Sequence, residues 1–298
     1  MRYVDIHSIS ELHEFFHYEK PVHPLISIVD LAKVDRSHRV PGDVYRLNLY
    51  GVSCKKIKGQ FGYGRTTYDF SEGSLMFTGP YQVLSPDPDI KVIEGWGIYI
   101  HPDFLNINIR GRKLSELSFF GYEANEALHI SEAEKVILEE CIKNIQREIG
   151  MNLDKHSSNL ILSNLELFFA YCVRFYDRQF LTREKSSNDI VQKFDRLLSD
   201  YFNQESLNGT GLPEVKYFAS QLNLSTNYLA DLLNKYTGKS TQEHIYFKLI
   251  DKAKSLLWST EKAISEIAYD LGFEHPSHFT KLFKKKTGVS PKDFRNQH

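Results

Sequence analysis

Hydrophobic and polar positions change their rhythm twice along this chain. From Pro24 to about Phe104, short runs rich in β-branched and aromatic residues are separated by Gly, Pro and Asp, as strands and turns are. Tyr45, Leu47 and Leu49 alternate with Arg46, Asn48 and Tyr50, which gives one buried face and one mixed face. Several short strands at this spacing predict a barrel or sandwich. Near Ser131 the period lengthens. Ser131 and Glu134 have the spacing of a capping box, in which the serine accepts from a free backbone N–H and the glutamate reaches back. Val136, Ile137, Cys141, Ile145 and Ile149 then recur at helical spacing, and Gly150 and Asn152 supply a stop. A second amphipathic helix is predicted from about Ser157 to Phe180.

The polar stretch 182–188, TREKSSN, lacks periodicity and reads as a linker. Beyond it everything is helical, starting with the stripe Ile190, Val191, Phe194, Leu197, Leu198 and Tyr201. The chain therefore divides into residues 1–181, a linker over 182–188, and residues 189–298. Two domains are also what 298 residues make natural.

The last third contains a weak internal repeat. VKYFASQLNLSTNYLADLLNKYTGKS begins at Val215, and ISEIAYDLGFEHPSHFTKLFKKKTGVS begins at Ile264. Ala219 answers Ala268, Leu222 answers Leu271, and Leu229 answers Phe279 after one insertion. Thr237, Gly238 and Ser240 answer Thr287, Gly288 and Ser290. Each copy has the parts of a helix-turn-helix: a small residue where two helices cross, a short turn, and an amphipathic helix ending at glycine. The units span about 213–238 and 263–288. Gly272 suits a positive φ in the second turn, and Ser225 suits the N-cap of the first recognition helix. A long helix, about Thr241 to Trp258, joins the copies and can hold two recognition helices about one DNA turn, roughly 34 Å, apart. Trp258, Tyr217, Phe218 and Tyr246 are read as core.

Net charge is −1, so no global basicity points to nucleic acid. The local balance differs: from Lys235 to the end there are twelve Lys or Arg against seven Asp or Glu. Lys281, Lys284, Lys285 and Lys286 cluster on the second recognition helix, where they can neutralise phosphates. The three cysteines, Cys54, Cys141 and Cys172, match no zinc, redox or disulfide pattern and read as reduced thiols in a cytosol. The first twenty residues have no apolar signal core, and no run approaches a transmembrane length. A cytoplasmic location and no membrane association are expected.

Here the sequence resembles the AraC/XylS family of bacterial regulators. The second copy carries that family's composite pattern: Ile264-Ser-Glu-Ile-Ala, Leu271-Gly-Phe, Ser277-His-Phe, Phe283-Lys, Thr287-Gly, Ser290-Pro and Phe294-Arg. The resemblance covers roughly the last hundred residues. The N-terminal part is more loosely similar to the family's cupin-like sensor domains, which are followed by dimerisation helices. The implied fold class is α+β and multidomain, a cupin-like β-barrel with dimerisation helices ahead of an all-α tandem helix-turn-helix domain. The resemblance implies Thr226, Asn227, Ala230 and Asp231 as DNA-facing in the first recognition helix, beside the capping Ser225. In the second it implies Glu274, His275, Ser277, His278 and Lys281. Where well-known members often carry arginine, this chain has Asp231, which repels phosphates but can accept from cytosine N4. Lys235, Lys281, Lys284 and Lys285 are the expected phosphate contacts.

The expected activity is sequence-specific DNA binding and transcription regulation, with no catalysis, metal or cofactor. The partners expected are double-stranded DNA, a small-molecule effector, RNA polymerase and a second copy of the chain. Arg46, Asn48, Tyr50 and Arg65 are the polar candidates for an effector pocket; the alternative places them on an outer sheet face in water, and a ligand-independent regulator would need none of them. Two readings of another class stand beside this one. His13-Glu14-Phe15-Phe16-His17 spells the zinc-protease pattern H-E-x-x-H, although Pro21 follows closely and Glu19 sits where a buried zinc helix needs an apolar residue. A DNA-repair methyltransferase shares a similar helical module, but none of the cysteines lies in the compact motif that chemistry requires.

Overall fold

The computed structural model describes residues 2–33, 43–58, 73–84, 91–105, 117–123, 126–151, 154–182, 184–203, 207 and 211–296. It divides into two compact units, Met1–Arg183 and Glu184–His298.

The first unit carries two sheets. Strand β1 (Arg2–Ile6) is followed by helix α1 (Ile9–Phe15) and strands β2 (Ile26–Asp30), β3 (Asp43–Leu47), β4 (Tyr50–Lys58), β5 (Ser74–Thr78), β6 (Val83–Leu84) and β7 (Lys91–Ile100). The short helix α2 (Pro102–Leu105) and strand β8 (Leu128–His129) come next. One sheet has the order β1-β3-β6, with β1 parallel to β3; the other is antiparallel, in the order β2-β7-β4-β5-β8. Both are open among the described residues, so the closed cupin-like barrel expected from the sequence is not found. The chain passes from one sheet to the other between Leu47 and Tyr50. There Asn48 donates its N–H to Ile6, and no hairpin joins β3 to β4. The alternation of Tyr45, Leu47 and Leu49 persists through this change of sheet, because all three bury into a cluster with Ile6, Ile9 and Leu12. The segment HPDFL, read as the end of a strand, begins helix α2 instead.

Two long helices cover the outer face of the five-stranded sheet. Helix α3 (Glu132–Gly150) starts with the capping box that Ser131 and Glu134 predicted. Helix α4 (Ser157–Thr182) follows. Leu138, Cys141, Ile142 and Ile145 of α3, and Ile161, Leu165, Phe168 and Cys172 of α4, are all buried; each large apolar side chain so placed contributes about 1.5–3 kcal/mol. Val136, read as part of the buried stripe, is 52% exposed, and Leu138 takes its place. The sheet meets the helices through aromatic rings: Trp96 packs edge-on against Phe168, and Phe77 meets Phe119, Phe120 and Tyr176.

The second unit is all α. Helices α5 (Glu184–Phe202), α6 (Val215–Gln221), α7 (Thr226–Thr237), α8 (Thr241–Ser259), α9 (Ile264–Asp270), α10 (Pro276–Thr287) and α11 (Pro291–Asn296) enclose one core. Helix α5 already includes Glu184 to Asn188, so this part of the stretch expected to be an irregular linker is helix. Burial of Ser187 and Phe194 gives that stretch a packed face which its polar composition concealed. Phe218 is fully buried as expected, whereas Tyr217 and Trp258 are 42% and 57% exposed. Trp258 lies stacked on Phe294 at 5.3 Å instead of entering the core.

Candidate nucleic-acid interface

Both halves of the repeat form the same object. In the first, α6 and α7 are joined by a turn in which Asn223 has φ +54°; in the second, Gly272 holds the same place between α9 and α10 with φ +83°. The buried Ala219 and Ala268 mark the close crossing, and their carbonyls accept the N–H of Leu224 at 2.9 Å and of Phe273 at 3.0 Å. Ser225 caps α7 by accepting the Tyr228 N–H at 3.1 Å. Helix α10 opens with Pro276 in its first turn, after His275. Both recognition helices end at left-handed glycines, Gly238 and Gly288. Helix α8, which joins the units, has its own capping box from Ser240 and Glu243.

This packing turns one face of each recognition helix inward and leaves the other in water. Leu229, Leu232 and Leu233 are buried in α7, as are Phe279 and Phe283 in α10. Thr226, Asn227 and Lys235 are exposed, while Ala230 and Asp231 are half-buried. Glu274, His275, Ser277, His278, Lys281, Lys284 and Lys285 are all exposed. Ser225 differs from the rest: its side chain is buried and its hydroxyl serves the helix cap, which removes it from any surface offered to a duplex. The rings of His275 and His278 meet edge-on at 5.4 Å. Two other lysines turn toward α8 instead. Lys239 stands over the Phe247 ring at 5.2 Å, and Lys286 over Tyr246 at 5.3 Å.

In the first unit, the effector candidates do not converge. Arg46 is held by Asp5 through two hydrogen bonds of 2.7 Å and lies over the Tyr3 ring. Asn48 sits at the crossover between sheets, and Tyr50 packs edge-on against Phe120, where burial pushes its phenol pKa up. Arg65 lies outside the described residues. A cleft of about 200 Å³ opens elsewhere, on the helix-covered side of the five-stranded sheet, lined by Asp30, Cys54, Glu94, Trp96, Lys135 and Glu139. Asp30, Trp96 and Cys54 are neighbours across β2, β7 and β4, a juxtaposition that only strand register creates. Lys135 reaches Glu94 at 3.2 Å, and burial pushes the Cys54 thiol up to about 12.

The H-E-x-x-H pattern does not form a metal site. Helix α1 ends at Phe15, and His17 lies beyond it with φ +52°, exposed. His13 is buried, with Nε2 at 2.7 Å from the Ser27 hydroxyl and Nδ1 at the Glu19 carbonyl. Both ring nitrogens are thus occupied, and the two histidines do not share a helical face. Helix α1 is partly exposed, with Ile9, Leu12 and His13 buried and Ser10, Glu11 and Glu14 in water.

Two helix-turn-helix units on one connecting helix make the second unit a tandem helix-turn-helix domain. Residues 218–297 match a family model described as a helix-turn-helix domain. Over 135 residues the chain is 29% identical to the HTH-type transcriptional activator RhaS of Salmonella paratyphi B, an alignment that covers 45% of this chain and 46% of that protein. The chain thus spans about half the length of the curated relatives it matches. Among solved structures it is similar to the C-terminal domain of AraT, a response regulator from Geobacillus stearothermophilus, at 30% identity and TM-score 0.33, covering 37% of this chain and 85% of that one. It is similar also to the C-terminal domain of the two-component response regulator yesN from Fusobacterium nucleatum, at 27% identity and TM-score 0.32, covering 36% and 98%. The C-terminal segment is a helix-turn-helix domain of the AraC type, homologous to RhaS.

Proposed function

We propose that this chain regulates transcription by binding specific DNA sequences through both helix-turn-helix units, and that it is not an enzyme. The observation that carries this reading is the outward row on each recognition helix. Exposed polar side chains gather at the first turn, where base edges are read, and exposed lysines follow on α10, where phosphates lie. The likeness to transcription regulators supports it. Lys235, Lys281, Lys284 and Lys285 set affinity and register, and the residues at the start of α7 and α10 choose sequence. Selection of bound duplexes from a random library by the full chain tests this. A defined consensus is expected, and recovery of unselected sequence overturns the reading.

The finer parts of the proposal concern regulation. Residues 1–181 act as a cupin-like sensor and dimerisation domain, joined through 182–188 to the DNA-binding domain at 189–298. A small effector binds the first unit and stabilises one state of the chain over another; equal affinity for both states would regulate nothing. The cleft beside Trp96 and Lys135 is the place to look, since Arg46 is already engaged by Asp5. Exposed Leu160 and Leu167 lie seven residues apart on α4, one helical face suited to pairing subunits. The regulator works in the cytoplasm, beside DNA and RNA polymerase. A ligand screen by thermal shift on the full chain, repeated with Trp96→Ala, checks the cleft. A ligand whose stabilisation survives that change binds elsewhere.

A further inference from the structure

The two units end in the same turn and then diverge at one position. Thr237 donates its hydroxyl to the Leu233 carbonyl at 2.7 Å and accepts the Lys239 N–H; Thr287 donates to the Phe283 carbonyl at 2.8 Å and accepts the Val289 N–H. Ser240 then caps against Glu243, as Ser290 does against Asp293. The next position in step is His244 in the first unit and Phe294 in the second. Phe294 packs its ring on Phe283 at 5.4 Å. His244 instead places Nε2 at 2.8 Å from the Thr237 hydroxyl and turns its ring edge-on to Phe194 of α5 at 5.6 Å.

We infer that His244 is the positioning residue that aims the first recognition helix, through its hydrogen bond to Thr237 at the end of α7. The tautomer follows from the proton count. The Thr237 hydroxyl proton goes to Leu233, so Nε2–H of His244 donates to Thr237 Oγ. The latch ties α7 to α8, and through Phe194 to α5. It grips the helix at the end far from its reading residues. Twelve residues of α7 span about 18 Å, so a tilt of about ten degrees at Thr237 moves Thr226 by about 3 Å, the length of a hydrogen bond. The second unit has an apolar ring contact at the same place and no such directional bond.

This inference rests on the proposed DNA binding and specifies how one half of it is positioned. The natural test copies the second unit into the first. In His244→Phe the aromatic contact with Phe194 is kept and only the directional bond is lost. Full-length protein is put through selection on randomised duplexes, with Asn227→Ala and Lys281→Ala marking the positions read by α7 and α10. His244→Phe is expected to flatten base preference by roughly five-fold, the scale of one neutral hydrogen bond, at the α7 positions alone. Thr237→Val should flatten the same positions and Thr237→Ser should restore them, while Thr287→Val, the matched change in the second unit, leaves them unaltered. An unchanged profile in His244→Phe, or equal flattening of both halves, overturns the inference. If His244→Phe does not fold, the Thr237 pair decides it alone: no difference between valine and serine overturns it. Wild-type protein that selects no sequence removes the proposed function, and this inference with it.

Discussion

A Cβ placed on Gly272 would stand 2.7 Å from the carbonyl carbon of Gly211. The second helix-turn-helix thus needs glycine for two reasons at one position, a left-handed φ of +83° and a backbone passing too close for any side chain. Gly272→Ala should destabilise the C-terminal unit by about 2–3 kcal/mol, since the left-handed strain and the overlap act together. The corresponding Asn223, with φ +54°, should accept glycine with little change. Thermal unfolding of both variants checks the contrast, and equal effects would contradict it.

The exposed lysines of α10 should separate by role. Lys284→Ala and Lys285→Ala should weaken matched and random duplexes alike, and each should lower the salt slope of binding by about 0.9. Lys281 stands nearer the start of α10. Its alanine variant should cost about 1–3 kcal/mol on the matched site if it grips a guanine edge. Titrations at several salt concentrations distinguish these behaviours. Equal weakening on both duplexes would reduce Lys281 to a phosphate contact.

His13 and His17 should respond unequally to alanine. Losing the His13 ring leaves the Ser27 hydroxyl and the Glu19 carbonyl without their imidazole partner, a loss of about 1–3 kcal/mol. His17→Ala, at an exposed position, should change stability little. Chemical denaturation measures both. Equal losses, accompanied by stoichiometric zinc in the purified protein, would restore the metal reading.

The thiols should be silent in the folded chain. Burial pushes Cys54 up to about 12 and raises Cys141, and it raises Cys172 well above the ordinary range, with Cys141 adding to that shift. A disulfide reagent near pH 8 should therefore titrate the three thiols only after denaturant is added. The folded thiols ionise later than the unfolded ones, so the unfolded chain releases protons first and stability falls as pH rises above about 9. Replacing all three with alanine should shallow that alkaline decline. A thiol that reacts at once in native protein would contradict the burial.

The C-terminal unit was legible because its determinants are local. Ser225, Gly238, Ser240 and Gly288 each act within one turn of a helix, on backbone groups a few residues away, so their identities and spacing were enough; for Gly272 the turn gave the left-handed φ, and only the fold showed the close approach of Gly211. The repeat then supplied the second copy's boundaries from the first. Sequence alone also specified the start of α3, since Ser131 and Glu134 satisfy each other's backbone without help from elsewhere.

Tertiary structure decided what depends on residues far apart in the chain. Strand register brought Asp30, Trp96 and Cys54 together, and Asp5 claimed Arg46 from 41 positions away. A buried Ser27 and a helix stopping at Phe15 turned His13 from a candidate ligand into a packed core residue. The same holds for His244, whose meaning comes from Phe194 and Thr237 on two other helices. Caps and turns are written in neighbouring letters because their hydrogen bonds close over three or four residues. Which polar group meets which partner across a core is set by packing, and no local pattern carries that information.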